Sequence, residues 1–359
     1  MQNVLVTGGA GFIGSNFIRF LLEAARGVKI VNLDALTYAG NLENLQDLPD
    51  PGRHHFIHGD IGDGRFVEGL LRQHGIDTVV HFAAETHVDR SIRDPAPFLQ
   101  TNVLGTCHLL EACRRVWLEE RMLPWEDIHF LHVSTDEVYG SLGPHDAPCS
   151  EEAPFAPNSP YAASKAAADH WVRAYGTTYG LPQTITHCSN NYGPHMFPEK
   201  FIPLIVWNAL HGRPLPIYGD GRHVREWLYV EDHCEALWLI LRAHATGRSY
   251  NIGGVNAVAN VELVEHICAL LDSLCPSSPH RPYRQWIRFV EDRPGHDRRY
   301  ALDASRLHRD LGWEARHSLE NGLLKTMEWI LAHTAWFERV CHRDAHRAWL
   351  ASHYGCLEQ

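Results

Sequence analysis

Short apolar runs alternate with helically spaced apolar residues through the first half of the chain. Val4-Leu5-Val6, Lys29 to Leu33, Phe56-Ile57-His58, Thr78 to Phe82, Phe130 to Val133 and Thr184 to Cys188 have the length and content of strands. Between the first two, Phe12, Ile13, Phe17, Ile18, Leu21 and Leu22 repeat with helical period, and Arg65 to His74 and Val103 to Trp117 do so farther on. Ser159 is placed to cap a helix with Pro160 in its first position, and Gly180 followed by Pro182 marks its end. Strands alternating with helices in this way predict an α/β fold with a doubly wound parallel sheet.

After Cys188 the pattern changes. Ser189 to Pro194 reads as a loop, and Pro, Gly and basic residues then concentrate around Phe197 to Lys200, Pro214 to Gly221, Arg222, Arg225 and Arg293 to Arg299. A second, smaller mixed α/β lobe is expected from 189 to 359, with residues 1–188 forming the first lobe. A helix from Asp232 to Ala243 lies within a segment, 228–245, that returns to the first lobe. Strand Tyr250 to Ile252 and helix Val261 to Leu271 follow.

Two stretches of the first lobe carry candidate chemistry. Gly8, Gly11 and Gly14 follow a strand and open a helix, where glycines permit a tight turn, close approach of a pyrophosphate and close helix–strand packing. Asp34 ends the next strand, where a carboxylate accepts hydrogen bonds from ribose hydroxyls and repels a 2′-phosphate; with Ala35 beside it, NAD is favoured over NADP. Asp60, Ile61, Ala83 and Ala84 close later strands, as dinucleotide contacts or as plain turns. The stretch Ser134-Thr135-Asp136-Glu137-Val138-Tyr139-Gly140 sets a hydroxyl and two acids at the carboxyl end of a strand, where open sheets bind ligands, although the same residues also make ordinary turns. Tyr161 and Lys165 fall one helical turn apart, so an ammonium can stabilise a phenolate acting as a base.

The 359 residues carry a net charge of -11, which repels nucleic acid and requires local arginines or lysines for any anionic ligand. No apolar run reaches the ~20 residues of a membrane span, and no secretory leader is apparent, so a cytoplasmic protein is expected. Nine cysteines without a CxxC pair fit reduced thiols. The 26 histidines do not cluster at ligand spacing along the sequence, and no metal is expected.

TGGAGFIGS at Thr7 to Ser15, the Tyr161/Lys165 pair and the strand alternation resemble the extended short-chain dehydrogenase/reductase superfamily, with its Rossmann-type sheet. LTYAGN, HVDRSI, STDEVYG, SPYAASK, CSNNYGP, FPEKFIPL, PIYGDG, VREWLYVEDH, YNIGG and RPGHDRRYA resemble more narrowly the dTDP-glucose 4,6-dehydratase family. His223 stands where that family often has Asn, Ala35 where many members have Lys, and His195 and Met196 in a loop that commonly carries Tyr.

The resemblance implies an NAD-dependent lyase. Tyr161, held as phenolate by Lys165, takes the C4 hydroxyl proton as hydride leaves C4; Thr135 orients that hydroxyl. Glu137 removes the C5 proton, protonated Asp136 releases O6 as water, and hydride returns to C6, yielding a 4-keto-6-deoxy sugar for deoxysugar biosynthesis. It also implies NAD contacts at Phe12, Ile13, Asp34, Asp60, Ile61, Ala83, Ala84, Thr101 and Asn191. Substrate contacts are implied at Thr86, Asn190, Glu199, Lys200, Pro216, Tyr218, Arg225, Asn260, Arg293 and His296, with Arg225 and Asn260 on the diphosphate and Pro216 and Tyr218 bordering the base. Helices near Val103 to Trp117 and Tyr161 to Thr178 are the implied homodimer contact. A UDP- or CDP-sugar dehydratase, a nucleotide-sugar 4-epimerase and a catalytically silent NAD-binding protein are the alternatives; related epimerases generally lack the Asp-Glu pair.

Overall fold

In the computed structural model, which describes residues 1–341, twelve strands form three sheets. In chain order they are β1 (Asn3–Thr7), β2 (Lys29–Asp34), β3 (His54–His58), β4 (Thr78–His81), β5 (His129–Thr135), β6 (Gln183–Cys188), β7 (Asn190–Tyr192), β8 (Leu215–Tyr218), β9 (Val224–Tyr229), β10 (Arg248–Ile252), β11 (Ala257–Ala259) and β12 (Ile287–Val290). The large sheet runs β10-β6-β5-β4-β1-β2-β3 with every neighbouring pair parallel. Strand order reverses between β1 and β4, and a crevice opens there at the carboxyl ends, the usual ligand position in such sheets.

Both faces of this sheet are covered, which explains its apolar strands. Val4 and Val6 pack with Phe17, Ile18 and Leu237 on one side, while Leu5 turns to the other with Val79, Leu109 and Trp117. Residues 96–120 form one helical run, longer at both ends than the expected Val103–Trp117 and containing two π-helical stretches, Leu99–Gly105 and Arg114–Glu120.

Three features differ from the sequence reading. Ser189 to Pro194 is not all loop: β7 pairs in parallel with β9 because Tyr192 is buried against Trp227 and Tyr229 in the second lobe's core. The return to the large sheet extends past 245, since β10 supplies its edge strand beside β6. Finally, the proline- and glycine-rich stretches hold strands β8 and β9, whose apolar side chains pack in that same second core. Residues 342–359 of the expected second lobe lie outside the described residues. Among the described residues, no helix is long and apolar enough to cross a membrane.

Candidate active site

The crevice is a cleft of about 310 Å³ between the two lobes. Its floor is the glycine turn. Gly8 has φ +71°, and a Cβ there would lie 2.7 Å from the Ala83 nitrogen; one on Gly14 would collide with the Gly8 carbonyl. By contrast, the Cβ position of Gly11 meets nothing nearer than 3.2 Å and borders the cleft, leaving room for a ligand against the backbone at the start of helix Phe12–Ala24. Asp34 is buried, with its oxygens accepting from the Ala10 and Leu36 amides at 2.9 and 2.8 Å, and burial pushes its carboxyl up. Phe12, Ile13, Asp60, Ile61, Ala83, Ala84, Thr101 and Asn191 line the same cleft. A bare glycine cradle, a carboxylate at the tip of the second strand and small residues at the fourth fit a dinucleotide without a 2′-phosphate.

Across the cleft, β5 ends at Thr135 and the chain turns at once into a 3-10 helix, Asp136–Tyr139. This turn resolves the problem that successive strand residues point to opposite faces, because it sets both acids on the cleft wall. Gly140 closes the turn at φ +80°, where any Cβ would strike the Ala156 carbonyl. Thr135 Oγ1 donates to Asp136 Oδ1 at 3.2 Å and accepts from the Glu137 amide at 3.3 Å. Asp136 Oδ2 is buried without a hydrogen-bond partner among the described residues.

The two acids are in unequal environments. Burial raises Asp136 well above the ordinary carboxyl range, and the charges of Glu137 and Glu226 raise it further. Burial also raises Glu137, but Arg293, Arg225 and Lys200 oppose the shift. Burial thus favours the protonated form of both carboxyls, with two neighbouring acids adding to the shift at Asp136 and three cations opposing it at Glu137, the direction in which an acid–base pair must separate.

Ser159 caps the helix Pro160–Tyr179 by accepting from the Ala162 amide, as its sequence predicts, and this presents Tyr161 and Lys165 to the cleft. Burial pushes the Tyr161 phenol well above its usual value, with Glu137 adding to the shift and a hydrogen bond with Thr135 opposing it. Lys165 is lowered by burial and supported by Asp169. Its Nζ donates to the Val133 carbonyl at 2.9 Å and lies 3.5 Å from His132 Nε2.

Behind Lys165 lies a buried network that the sequence reading did not identify. Asp169 Oδ2 accepts from Ser134 Oγ at 2.9 Å and pairs with His187 Nε2 at 3.2 Å, while His132 Nε2 lies 3.3 Å from Oδ1 without a hydrogen bond between them. Burial pushes Asp169 up, but His132 and His187 more than offset it and keep the carboxylate ionised. The available signal was spacing: Asp169 follows Lys165 by one helical turn. Tyr300 was also missed; its hydroxyl donates to Asp297 at 2.7 Å and reaches Glu137 at 3.5 Å, and no local pattern announces it.

The residues expected at a substrate divide into groups. Thr86, Asn190 and Lys200 line the cleft, with Lys200 Nζ donating to the Thr86 carbonyl at 2.9 Å. Glu199 does not line it; the carboxylate is buried and accepts from Arg90 at 2.9 Å. Tyr218, Arg225, Arg293 and His296 gather beyond the acid pair, between the lobes. Arg293 reaches Asp89 at 3.3 Å, Tyr218 reaches the same carboxylate at 3.4 Å, and Arg225 lies over the Tyr300 ring at 4.3 Å. Pro216 is buried in β8, paired with Arg288, and Asn260 opens the helix Asn260–Leu274 with its amide on the His223 carbonyl.

Comparison with known proteins agrees over almost the whole chain. A sequence model of the family described as GDP-mannose 4,6 dehydratase matches residues 5–326. A dTDP-glucose 4,6-dehydratase of Xanthomonas campestris pv. campestris (strain B100) is 54% identical over 341 residues, 95% of this chain and 96% of the relative. The dTDP-glucose 4,6-dehydratase of Bacillus anthracis in complex with NAD superposes with a TM-score of 0.83 at 44% identity, covering 95% of this chain and 100% of that one. The Streptomyces venezuelae dTDP-glucose 4,6-dehydratase with NAD and TYD bound gives 0.85 at 45% identity, covering 94% and 99%.

Proposed function

Because the chain belongs to the dTDP-glucose 4,6-dehydratase family, we propose that it converts dTDP-glucose to dTDP-4-keto-6-deoxyglucose, feeding deoxysugar biosynthesis. The observation that carries this reading is the unequal acid pair, Asp136 and Glu137, set in one cleft with Tyr161 and Lys165. An epimerase needs only the tyrosine and lysine, whereas elimination of water needs a second base and an acid.

NAD, which the glycine turn, Asp34 and the small residues Ala83 and Ala84 after β4 would hold, would supply a hydride acceptor for C4 and a hydride donor to C6 after water loss. Tyr161 takes the C4 hydroxyl proton, and the Lys165 ammonium offsets the cost of its buried phenolate. Thr135, hydrogen-bonded with the phenol, orients the hydroxyl. Glu137 then removes the C5 proton acidified by the C4 ketone, while Asp136 gives its proton to O6 as water leaves. Lys200 and Arg293 stabilise Glu137 as an anion, and Arg225 and Arg293 provide the positive charge that a diphosphate requires in an acidic protein. Two chains associate through the helices that flank the site, and the protein works in the cytoplasm.

Turnover of dTDP-glucose in deuterium oxide tests the reading by NMR. The expected product is a 4-keto-6-deoxy sugar with solvent deuterium at C5 and the substrate's C4 hydrogen transferred to C6. A 4-epimer without deuterium at C5 would overturn it in favour of epimerisation.

A further inference from the structure

Beyond the cleft, the turn between β8 and β9 and the segment after β12 bring three ligating side chains together. His223 Nε2 lies 3.4 Å from one oxygen of Asp292, and His296 Nδ1 lies 2.6 Å from the other. The two imidazoles stack with centroids 3.6 Å apart and planes at 13°. One ligand atom from each residue can be chosen so that all three lie within 4.8 Å of one another. Both histidine side chains are only 5% exposed, whereas Asp292 is 41% exposed, so the cluster is closed on the imidazole side and open at the carboxylate.

We propose that His223, Asp292 and His296 form a site for a divalent transition cation of the zinc, cobalt or nickel type, and that the bound cation competes with the nucleotide sugar. Two imidazole nitrogens and one carboxylate oxygen are a borderline donor set, suited to these ions; magnesium and calcium prefer oxygen throughout. Bonds of about 2.0–2.2 Å in tetrahedral geometry place neighbouring ligand atoms about 3.3 Å apart, and three protein ligands leave a fourth position for water. The 3.4 Å separation of His223 and Asp292 matches, but rings stacked at 13° aim their nitrogen lone pairs along parallel planes, so binding requires one ring to turn out of the stack. The 2.6 Å contact between Asp292 and His296 widens to that spacing once the cation replaces the proton they share. That proton leaves to solvent or moves to His296 Nε2.

His223 Nδ1 is buried and has no hydrogen-bond partner among the described residues, so no second contact fixes the ring against turning toward an ion. The nearby positive charge is partly compensated: Arg298 pairs with Asp220 at 2.8 Å and Arg293 with Asp89. Competition follows from position, and this half rests on the dehydratase reading. His296 and Arg293, expected at the substrate, are respectively a ligand and the immediate neighbour of one, and the Tyr218 ring stands edge-on to His296 at 6.0 Å.

Untagged, chelator-washed holoenzyme titrated with cobalt(II) should bind one ion per chain at micromolar concentration, with the visible absorption of a four-coordinate site. His223→Asn and Asp292→Asn should each weaken this binding at least tenfold, and His223→Asn should leave kcat and KM in chelator unchanged. Zinc should raise the apparent KM of the parent for dTDP-glucose several-fold without lowering kcat, and should leave the KM of His223→Asn unaffected. An absence of saturable cobalt binding, or equal binding by parent and both variants, overturns the site. Binding that leaves KM unaltered overturns the competition. The cobalt spectrum needs no turnover, so failure of the dehydratase reading would be seen separately.

Discussion

Asp136 and Glu137 differ by one methylene and one position, yet the fold gives them unequal surroundings. Asp136 is 3% exposed and faces two other carboxylates, whereas Glu137 faces Arg293, Arg225 and Lys200. Asp136→Asn and Glu137→Gln should therefore each still oxidise C4, seen as NADH absorbance in a single turnover. Each should slow water loss by about 10²–10⁴-fold, the usual worth of one positioned acid or base. Rapid quench with mass spectrometry measures that step, and a variant that dehydrates at the parental rate would lose its assigned role. The pair, the tyrosine–lysine spacing and the three glycines were legible in the sequence because each depends on a few adjacent residues. The unequal electrostatic surroundings were not, because Glu226, Arg225 and Arg293 reach the pair only through tertiary structure. Tyr300 was hidden for the same reason.

Elements were legible where a helix or strand carries its own boundary signals. Ser159, Pro160 and Gly180 mark both ends of the tyrosine-bearing helix, and the structure uses all three. β7 was not legible, because Asn190-Asn191-Tyr192 looks like a turn until β9 pairs with it. β9 also carries Glu226, whose buried carboxylate accepts the Gly254 and Leu302 amides at 2.9 and 3.1 Å and so joins three segments. Burial, opposed by those two hydrogen bonds, raises it to about 7 from an ordinary 4.5. The folded chain then retains a proton that the unfolded chain has already released. The contribution of this group to stability is full below about pH 4.5 and is lost as pH rises through about 7. Glu226→Gln keeps an acceptor for both amides and never ionises. Relative to the variant, the parent should lose about 3 kcal/mol of stability between about pH 5 and 8, at about 1.4 kcal/mol per pKa unit. Denaturant melts at the two pH values measure this, and parallel loss by both proteins would refute it.

For the molecule as a whole, the apolar surface left on the first lobe is the remaining feature to account for. Leu99 and Leu104 on the helical run 96–120 are 57% and 48% exposed, and Trp171 and Tyr179 on the adjoining helix Pro160–Tyr179 are 44% and 49% exposed. Single exposed apolar residues are common, but four on two adjacent helices are suited to burial against another copy of themselves. Helix Pro160–Tyr179 also carries Tyr161 and Lys165, so such an interface would buttress the catalytic turn from behind. Trp171→Glu with Leu104→Glu should halve the sedimenting mass of the native protein while leaving its circular dichroism intact, since like charges buried there would lack partners. Phe289→Glu, which alters a 58% exposed side chain on β12 in the other lobe, should leave the mass unchanged. If the double variant sediments like the parent, these two helices hold no dimer together, and these four residues are exposed for a different reason.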